Sequence, residues 1–456
     1  MKKLLLILIP VAIYAQVIDT VIRFPDDPWD LFYVPEGNEL YINFGRSNYL
    51  MVLDCSTYQN KKTILTGGNF QSIAYGLWNQ SLDKIYYAFN ISPERIAVID
   101  NSTDSIIRWV NFHGKNPLCY NLITNKIYAT NGQSVAVIDC VTDSIIKIIT
   151  QPYYLSGFVL WDSIGNKIYC GSGLYCDEVT VVNCINDSVV AVINSNVSAP
   201  YKAIYNYQRR KVYVASDLGV RGAVIDAIND TLIKNFYPIG LHPLLPFVWN
   251  SLENKVYWPS FGDTLVIIDC LNDSIIKKVY FGFQNEYISY LCLIPWSNRL
   301  YVTTNNYSLQ SSILRILDCQ NDSIVSEIEI GKSCYMIICN PENRKIYLSD
   351  LIDSSLYVIK DEIPGIEKHQ TLDALSLMPE IYPNPAKSFL AVRLPLTAER
   401  QTLKIFDVTG KMIKIVDNVT NAQEHRQEVK ISLKGINPGI YFFEIGKVVK
   451  KFIVAK

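Results

Sequence analysis

The stretch Asn254-Lys255-Val256-Tyr257-Trp258 is followed by Val266-Ile267-Ile268-Asp269-Cys270 and then by Asn272-Asp273-Ser274-Ile275-Ile276. Short runs of β-branched and aromatic residues, separated by Asn, Asp and Ser, are typical of β-strands joined by tight turns. The stretch therefore predicts three consecutive strands, the first of which carries the tyrosine. Because the same phrase recurs along most of the chain, the sequence predicts one small all-β unit that is repeated many times.

The repeat has a regular length. Eight segments place a charged residue two positions before a tyrosine, and successive tyrosines are 41 to 46 residues apart. A period of about 40–45 residues with several strands per unit is typical of a β-propeller blade. The eight tyrosines are Tyr41, Tyr86, Tyr128, Tyr169, Tyr213, Tyr257, Tyr301 and Tyr347.

The number of blades depends on the two ends of the repeat region. Each unit contains an apolar strand A, a strand B with the tyrosine, a strand C with the Val-x-Val-Ile-Asp phrase, and a strand D after a short turn. Strands A, B and C occur eight times, but strand D occurs only seven times. The segment Val17–Phe24 resembles strand D, so we expect it to complete the last blade. This predicts eight four-stranded blades, and seven blades with one incomplete or displaced terminal unit is the alternative.

The Val-x-Val-Ile-Asp, Asp-Ser-Ile-Ile and Lys-Ile-Tyr phrases resemble those of the YVTN-type β-propellers, relatives of the lactonase-like and NHL propellers. The resemblance covers about Val17 to Lys360, and the family phrase is best preserved at Tyr301-Val302-Thr303-Thr304-Asn305. Members of that family typically have seven blades, so eight departs from the pattern. The resemblance implies a fold, and propellers serve binding, scaffolding and catalysis alike.

The start of the chain has the features of an export signal. Lys2 and Lys3 precede the apolar run Leu4–Ile13, and small Ala15 precedes Gln16. This order predicts a signal peptide over residues 1–15 that is cleaved between Ala15 and Gln16. The run is too short to span a bilayer, and no later segment is long and apolar enough to be transmembrane.

The chain changes character after residue 360. Residues 361–380 lose the strand period and are predicted to be a linker, after the propeller at residues 16–360. Residues 381–456 contain short apolar runs separated by Gly, Pro and Asn, which predicts a small Ig-like β-sandwich. The phrases that mark this region contain Tyr382, Pro383, Asn384, Pro385, Asp407, Gly410, Lys411, Pro438, Gly439 and Tyr441.

These phrases, their order and their terminal position resemble the type A C-terminal sorting domain of the type IX secretion system. The resemblance implies that the partner of this region is the type IX secretion machinery. It also implies a protein that is secreted or attached to the outer surface of a Gram-negative, Bacteroidota-like bacterium. An ordinary C-terminal adhesion sandwich is the alternative.

The sequence offers little for catalysis. The chain contains four histidines, and none of the usual catalytic or metal-binding motifs is present. The A strands, which line the channel of a propeller, carry few ionisable residues, chiefly Asp30, Lys202 and Glu286. We therefore predict no catalytic residue, cofactor or metal site. The repeated aspartates are expected to serve turns, the repeated tyrosines to pack in the core, and the repeated cysteines to be small buried hydrophobes. Cys170 and Cys176 flank a short hairpin, where a disulfide between them is an alternative to two free thiols.

Any binding surface should lie on the loops between strands D and A and between strands B and C. Loops on a rigid frame are where recognition usually occurs, although a solvated rim without a ligand fits the sequence equally well. The near-zero net charge of −1 gives no indication of nucleic acid binding. We expect a monomeric binding or scaffold module for an extracellular protein or glycan, and an extracellular lactonase- or lyase-like enzyme is the alternative. The candidate rim residues are His113, Lys115, Asp217, Arg221 and His242.

Overall fold

The structure is a computed structural model, and its described residues fall into two compact units. The first unit consists of Met1–Ile294 and Asn298–Pro364, and the second of Pro295–Ser297 and Gly365–Lys456. The described residues are 17–45, 47–67, 75–89, 95–112, 118–155, 157–173, 176–216, 221–237, 247–260, 263–281, 286–361, 380–382, 388–393, 401–407, 411–419, 428–445 and 448–454.

The first half of the propeller contains seventeen of the described strands. They are β1 (Val17–Arg23), β2 (Pro28–Val34), β3 (Glu39–Phe44), β4 (Tyr49–Asp54), β5 (Asn60–Leu65), β6 (Tyr75–Asn79), β7 (Lys84–Phe89), β8 (Arg95–Asp100), β9 (Ser105–Val110), β10 (Leu118–Asn121), β11 (Lys126–Thr130), β12 (Gly132–Asp139), β13 (Ser144–Leu155), β14 (Val159–Asp162), β15 (Lys167–Gly171), β16 (Glu178–Asn183) and β17 (Ser188–Asn194).

The second half of the propeller continues the same pattern of short strands. Its described strands are β18 (Pro200–Asn206), β19 (Lys211–Ser216), β20 (Gly222–Asp226), β21 (Thr231–Phe236), β22 (Val248–Asn250), β23 (Lys255–Pro259), β24 (Thr264–Asp269), β25 (Ser274–Tyr280), β26 (Glu286–Ile294), β27 (Arg299–Asn306), β28 (Ser311–Asp318), β29 (Ser323–Glu329), β30 (Cys334–Asn340), β31 (Lys345–Asp350) and β32 (Ser355–Lys360).

These strands form eight antiparallel four-stranded sheets within the described part of the chain, so the prediction of eight blades is confirmed. Seven sheets use four consecutive strands, from β2–β5 for blade 1 to β26–β29 for blade 7. Blade 8 has the order β1-β32-β31-β30, and β1 pairs with β32 from Val17↔Lys360 to Arg23↔Ser355. The N-terminal strand therefore completes the last blade, as the sequence predicts.

The strands A are the inner strands of the ring. Each contacts strand A of the next blade, and β30 of blade 8 contacts β2 of blade 1, which closes the circle. The core lies between neighbouring sheets. Tyr213, for example, is fully buried and packs with Val256 and Trp258 of the following blade. The strands form sheets because their alternating apolar faces can be buried only against an adjacent blade.

The second unit contains a three-stranded and a four-stranded antiparallel sheet among its described residues. The first has the order β33-β34-β37 and the second the order β36-β35-β38-β39. Leu390 and Ile431 are buried in the first sheet, and Leu403, Ile405 and Phe443 in the second. These strands are β33 (Glu380–Tyr382), β34 (Phe389–Arg393), β35 (Gln401–Asp407), β36 (Met412–Val419), β37 (Glu428–Ser432), β38 (Gly439–Ile445) and β39 (Val448–Val454).

The described residues contain no helix that is long and apolar enough to cross a membrane.

Candidate functional site at one face of the propeller

The two faces of the propeller differ in the length of their connections. On one face, which we call the uniform face, the turn between strands A and B has four residues in all eight blades. The C–D turns on that face have four residues in six blades and five in blade 1. On the opposite face, which we call the variable face, the B–C and D–A connections range from one to eleven residues between these strand ends. The differences in connection length between blades are therefore concentrated on the variable face.

The uniform face is held by a repeated contact between neighbouring blades. In blade 5 the hydroxyl of Tyr213 donates to Asp273 of the blade 6 C–D turn at 2.6 Å, and Lys211 pairs with the same carboxylate at 2.6 Å. Asp273 is 4% exposed, so the ion pair is largely shielded from solvent. The same arrangement joins Lys84 and Tyr86 to Asp143, Lys126 and Tyr128 to Asp187, Lys167 and Tyr169 to Asp230, and Lys255 and Tyr257 to Asp322.

The backbone explains why an aspartate stands at this turn position. Asp273 has φ 55°, and the equivalent aspartates have φ between 49° and 57°. This left-handed conformation is uncommon for residues other than glycine, but Asp and Asn tolerate it because their short side chains bond locally. The residue that ends strand C acts differently: Asp269 accepts the backbone N–H of Leu271 at 2.9 Å, and Asn183 accepts that of Ile185 in blade 4. The predicted turn role is thus confirmed, and the aspartate at the turn position also joins two blades.

Near the ring closure the same contact is made by different residues. Glu39 replaces the strand B lysine in blade 1, and Lys61 of strand D supplies the cation to Asp104 at 3.0 Å. Tyr58 replaces the turn aspartate of blade 1, and Asp19 of β1 supplies the carboxylate to Lys345 at 3.0 Å. In blade 7, Arg299 and Tyr301 both bind Asp361, which follows strand C of blade 8, at 2.9 Å. Each exception preserves a cation that pairs with a carboxylate, and in blade 1 Lys61 pairs with both Glu39 and Asp104.

The variable face carries aromatic side chains where strands A begin. The ladder between strands A and B is interrupted by a bulge in blades 1, 5, 7 and 8, between Pro28/Asp30, Pro200/Lys202, Ile288/Tyr290 and Cys334/Ile337. In three of these bulges an extra residue is aromatic. We call these three residues, Trp29, Tyr201 and Tyr335, the mouth aromatics. Bulges redirect side chains and are frequent beside binding sites.

The mouth aromatics belong to three different blades, and those of blades 8 and 1 are in contact. The rings of Trp29 and Tyr335 have centroids 5.4 Å apart. Burial raises the pKa of the Tyr335 hydroxyl, and the proximity of Asp30, Tyr307 and Tyr201 raises this pKa further. The three mouth aromatics are only partly buried. Trp29 and Tyr335 therefore form a partly exposed aromatic pair where blades 8 and 1 adjoin on the variable face, and Tyr201 lies on the same face in blade 5.

Packing fixes the orientation of Trp29. A Cβ atom at Gly45 would lie 2.0 Å from the Trp29 ring, so only glycine leaves room for the indole. The Trp29 Nε1 atom is buried and has no hydrogen-bond acceptor among the residues that the structure describes.

The ionisable residues expected along the A strands have separate partners. Asp30 is 8% exposed and accepts a hydrogen bond from the Tyr87 hydroxyl at 2.5 Å. Burial raises the pKa of Asp30 to about 7, against the hydrogen bonds from Tyr87 and Leu31. Glu286 pairs with Arg315 at 3.0 Å, and the Lys202 ammonium lies 5.5 Å from the centre of the Tyr201 ring. The structure therefore does not combine these groups into one acid–base pair.

Of the candidate rim residues, the structure places only Arg221. It begins the described segment before β20 on the variable face, is exposed, and lies over the Tyr237 ring at 4.8 Å. The other four, His113, Lys115, Asp217 and His242, lie outside the described residues, as do the signal-cleavage residues Ala15 and Gln16. Among the described residues, no group of three or more His, Cys, Asp or Glu side chains is arranged to hold a metal ion.

The residues of the C-terminal phrases occupy turns and strand ends. Asp407 ends β35, and its carboxylate accepts the N–H of Lys411 at 3.1 Å across the turn to β36. The hydroxyl of Tyr441 donates to the carbonyl of Asn437 at 2.9 Å, next to Pro438 and Gly439. Tyr382 ends β33. Pro383, Asn384, Pro385 and Gly410 lie outside the described residues.

Sequence reasoning missed both the contact between blades and the mouth aromatics. The contact could have been found from its exceptions, because Glu39 stands where other blades have lysine and Tyr58 where they have aspartate. A proline directly before an aromatic residue, at Pro28 and Pro200, was the available signal for two of the mouth aromatics. Proline is tolerated at the first residue of a strand or at a bulge.

The fold and the terminal domain together define an exported β-propeller with a C-terminal sorting domain. Residues 380–455 match the family described as "Secretion system C-terminal sorting domain". This domain marks proteins that are secreted by the type IX system of Bacteroidota and are released or attached to the cell surface. The protein is therefore secreted or displayed on the cell surface, and its C-terminal domain interacts with the type IX secretion machinery.

Comparison with solved structures supports the propeller fold and nothing more specific. BamB from Moraxella catarrhalis matches with a TM-score of 0.54 and 10% identity, over 76% of this chain and 100% of that protein. The computationally designed protein Ika8 matches with a TM-score of 0.59 and 11% identity, over 75% of this chain and 99% of its own. No curated protein sequence matches the chain.

Proposed function

We propose that the propeller of this exported protein is a binding module that takes an extracellular protein or glycan on its variable face. The observation that carries this proposal is the bulged start of strands A on that face, where Trp29 contacts Tyr335 and Tyr201 occupies the equivalent position on blade 5. Tryptophan and tyrosine are the residues most often found at the energetic centre of interfaces. The uniform face has turns of nearly constant length that are engaged in contacts between blades, so it has less freedom to diverge.

The rim around the mouth aromatics would provide specificity. Arg221 on Tyr237 is part of this surface, and we include His113, Lys115, Asp217 and His242 of the same loops in the proposed site. Loops carried by a rigid frame can change sequence and length without loss of the fold. The connections of one to eleven residues on this face fit such a role.

The proposed organisation follows from the sequence and the export route. Residues 1–15 would be the signal peptide, residues 16–360 the YVTN-like propeller, residues 361–380 the linker, and residues 381–456 the sorting domain. The module would act as a monomer. The lactonase- or lyase-like alternative gains no support from the described residues, whose ionisable side chains near the mouth are engaged as separate pairs.

The test is a binding screen with matched variants. The purified protein would be applied to glycan and peptide arrays, and the affinity for each hit measured for Trp29→Ala, Tyr335→Ala and Leu122→Ala. Leu122 is 53% exposed on the uniform face and serves as the control. We expect each aromatic variant to lose about tenfold or more, since such residues contribute about 2 kcal/mol or more at interfaces. A ligand whose affinity falls only in the Leu122→Ala variant would contradict the proposal.

A further inference from the structure

Two cysteines face each other between blades 7 and 8. Cys292 lies on β26 and Cys339 on β30, the neighbouring inner strands of those blades. The Cys292 Sγ atom is 3.8 Å and the Cys339 Sγ atom 4.0 Å from the same carbonyl oxygen, that of Leu293. The interaction between the two thiols raises the pKa of Cys292 and lowers the pKa of Cys339, as expected for neighbouring sulfurs. Both side chains therefore occupy one small volume between two sheets.

The other cysteines have different surroundings. The five at the repeat position are fully buried, and the carbonyl oxygen of Cys319, for example, accepts a hydrogen bond from Tyr257 of the preceding blade at 3.3 Å. All eleven cysteines are free thiols in the structure, so Cys170, which is fully buried in the core between blades 3 and 4, is not paired with Cys176. Cys292 and Cys339 are partly exposed, as is Cys176. Their contact and their exposure set them apart from the repeat cysteines.

We propose that Cys292 and Cys339 form a disulfide in the exported protein and so join blade 7 to blade 8 covalently. Disulfides form and persist in the periplasm and outside the cell, where this protein travels. The side chains come from adjacent inner strands, and both sulfurs lie within 4.0 Å of one carbonyl oxygen. It would secure the blade that is otherwise closed only by the non-covalent pairing of β1 with β32.

The chemistry is a thiol–disulfide exchange in which the oxidant is the disulfide of a periplasmic thiol oxidant. The hydrogen bond from Cys292 lowers the pKa of the Cys339 thiol, which favours Cys339 as the attacking thiolate. Its sulfur bonds to one sulfur of the oxidant, and the other sulfur leaves as a thiolate. Cys292 then loses its proton, attacks the Cys339 sulfur and releases the second oxidant thiolate. Two electrons pass from the protein to the oxidant, whose two sulfurs take up the two protons.

The experiment maps the thiols of the purified, folded, full-length protein after incubation with oxidised glutathione. Free thiols are blocked with iodoacetamide, and the protein is digested with trypsin without reduction. We expect residues 279–299 and 333–344 to appear as one linked species, two hydrogens lighter than the separate peptides, and to separate on reduction. The second peptide also contains Cys334, whose sulfur is fully buried and bonds to the Ile330 carbonyl at 3.3 Å.

Matched variants identify the partner. Cys334→Ser should retain the linked species, whereas Cys292→Ser and Cys339→Ser should lose it. Oxidation should also raise the melting temperature of the wild-type protein but not that of Cys292→Ser. Iodoacetamide labelling of both Cys292 and Cys339 in the oxidised wild-type protein would overturn the proposal, and so would a link through Cys334. The wild-type map alone decides the question if a variant fails to fold.

Discussion

Removal of the N-terminal strand should destabilise the whole propeller. A chain that begins at Pro25 lacks β1, so the edge of β32 in blade 8 is left unpaired. Ile22 and Phe24 are partly buried against the core between blades 8 and 1. The ring centroids of Phe24 and Phe44 are 5.3 Å apart. Asp19 is also lost from its pair with Lys345, a half-exposed contact.

The magnitude follows from these contacts. Two half-buried side chains contribute about 1–1.5 kcal/mol each, an aromatic pair about 0.5–1.5 kcal/mol, and a partly exposed ion pair about 0.5 kcal/mol. We expect a loss of about 3–5 kcal/mol in the free energy of unfolding. For a propeller of this length that corresponds to a fall of about 4–7 °C in melting temperature.

The assay is thermal unfolding of a chain that begins at Gln16 against one that begins at Pro25. Adjacent positions of β1 provide a matched control, because Val21 is 39% exposed whereas Ile22 packs against the core. Ile22→Ser should therefore lower the melting temperature more than Val21→Ser. Equal melting temperatures for the two chains would refute the reasoning, because blade 8 would then be stable without its fourth strand.

Three further outcomes are expected. Asp273→Ala leaves Lys211 and Tyr213 without their shared acceptor and should lower the free energy of unfolding in urea by about 3–5 kcal/mol. The control Asp269→Ala loses only a turn hydrogen bond and should lower it by about 1 kcal/mol. Equal urea midpoints for the two variants would contradict the role of the contact between blades. Burial raises the pKa of Asp30 to about 7, so between pH 4 and 7 the folded state holds a proton that the unfolded chain releases. The contribution of Asp30 to the free energy of unfolding should therefore fall by about 3–5 kcal/mol as the pH rises through that range and stay level above it. Asp30→Asn should remove this pH dependence. The same pH dependence of stability in the variant and the wild-type protein would contradict this role of Asp30. A chain that ends at Pro364 should melt like the full-length propeller yet remain in the periplasm of a type IX host, and its normal secretion would argue against the sorting role of the C-terminal domain.

The repeat could be predicted because residues close together in the sequence determine each strand and each turn. The Lys-Ile-Tyr and Val-Ile-Asp phrases encode strands, and the Asn, Asp and Ser residues between them encode turns, so the period alone gives the blades. The closing strand could also be predicted, because Val17–Phe24 has the composition of strand D and the last repeat lacks one. Both predictions depend on residues that are neighbours in the sequence.

The candidate site could not be predicted in the same way. Trp29 and Tyr335 lie in the first and last blades and are in contact because the ring closes, and Tyr201 reaches the same face from blade 5. The pairing of Tyr213 with Asp273 likewise joins positions 60 residues apart. The sequence pattern shows that the tyrosine and the aspartate recur in the blades, but only the folded ring shows which tyrosine contacts which aspartate.

The exceptions near the ring closure give the blades different degrees of independence. Blades 2 to 6 join the next blade through the same lysine, tyrosine and aspartate, so any of them could follow any other without loss of a contact. Blades 7, 8 and 1 use Asp361, Asp19 and Lys61 instead, and these residues fit only their present neighbours. A gene duplication or deletion of one internal repeat would therefore leave every junction chemically matched. The number of blades can therefore change in evolution by gain or loss of blades 2 to 6, while blades 7, 8 and 1 must be kept together.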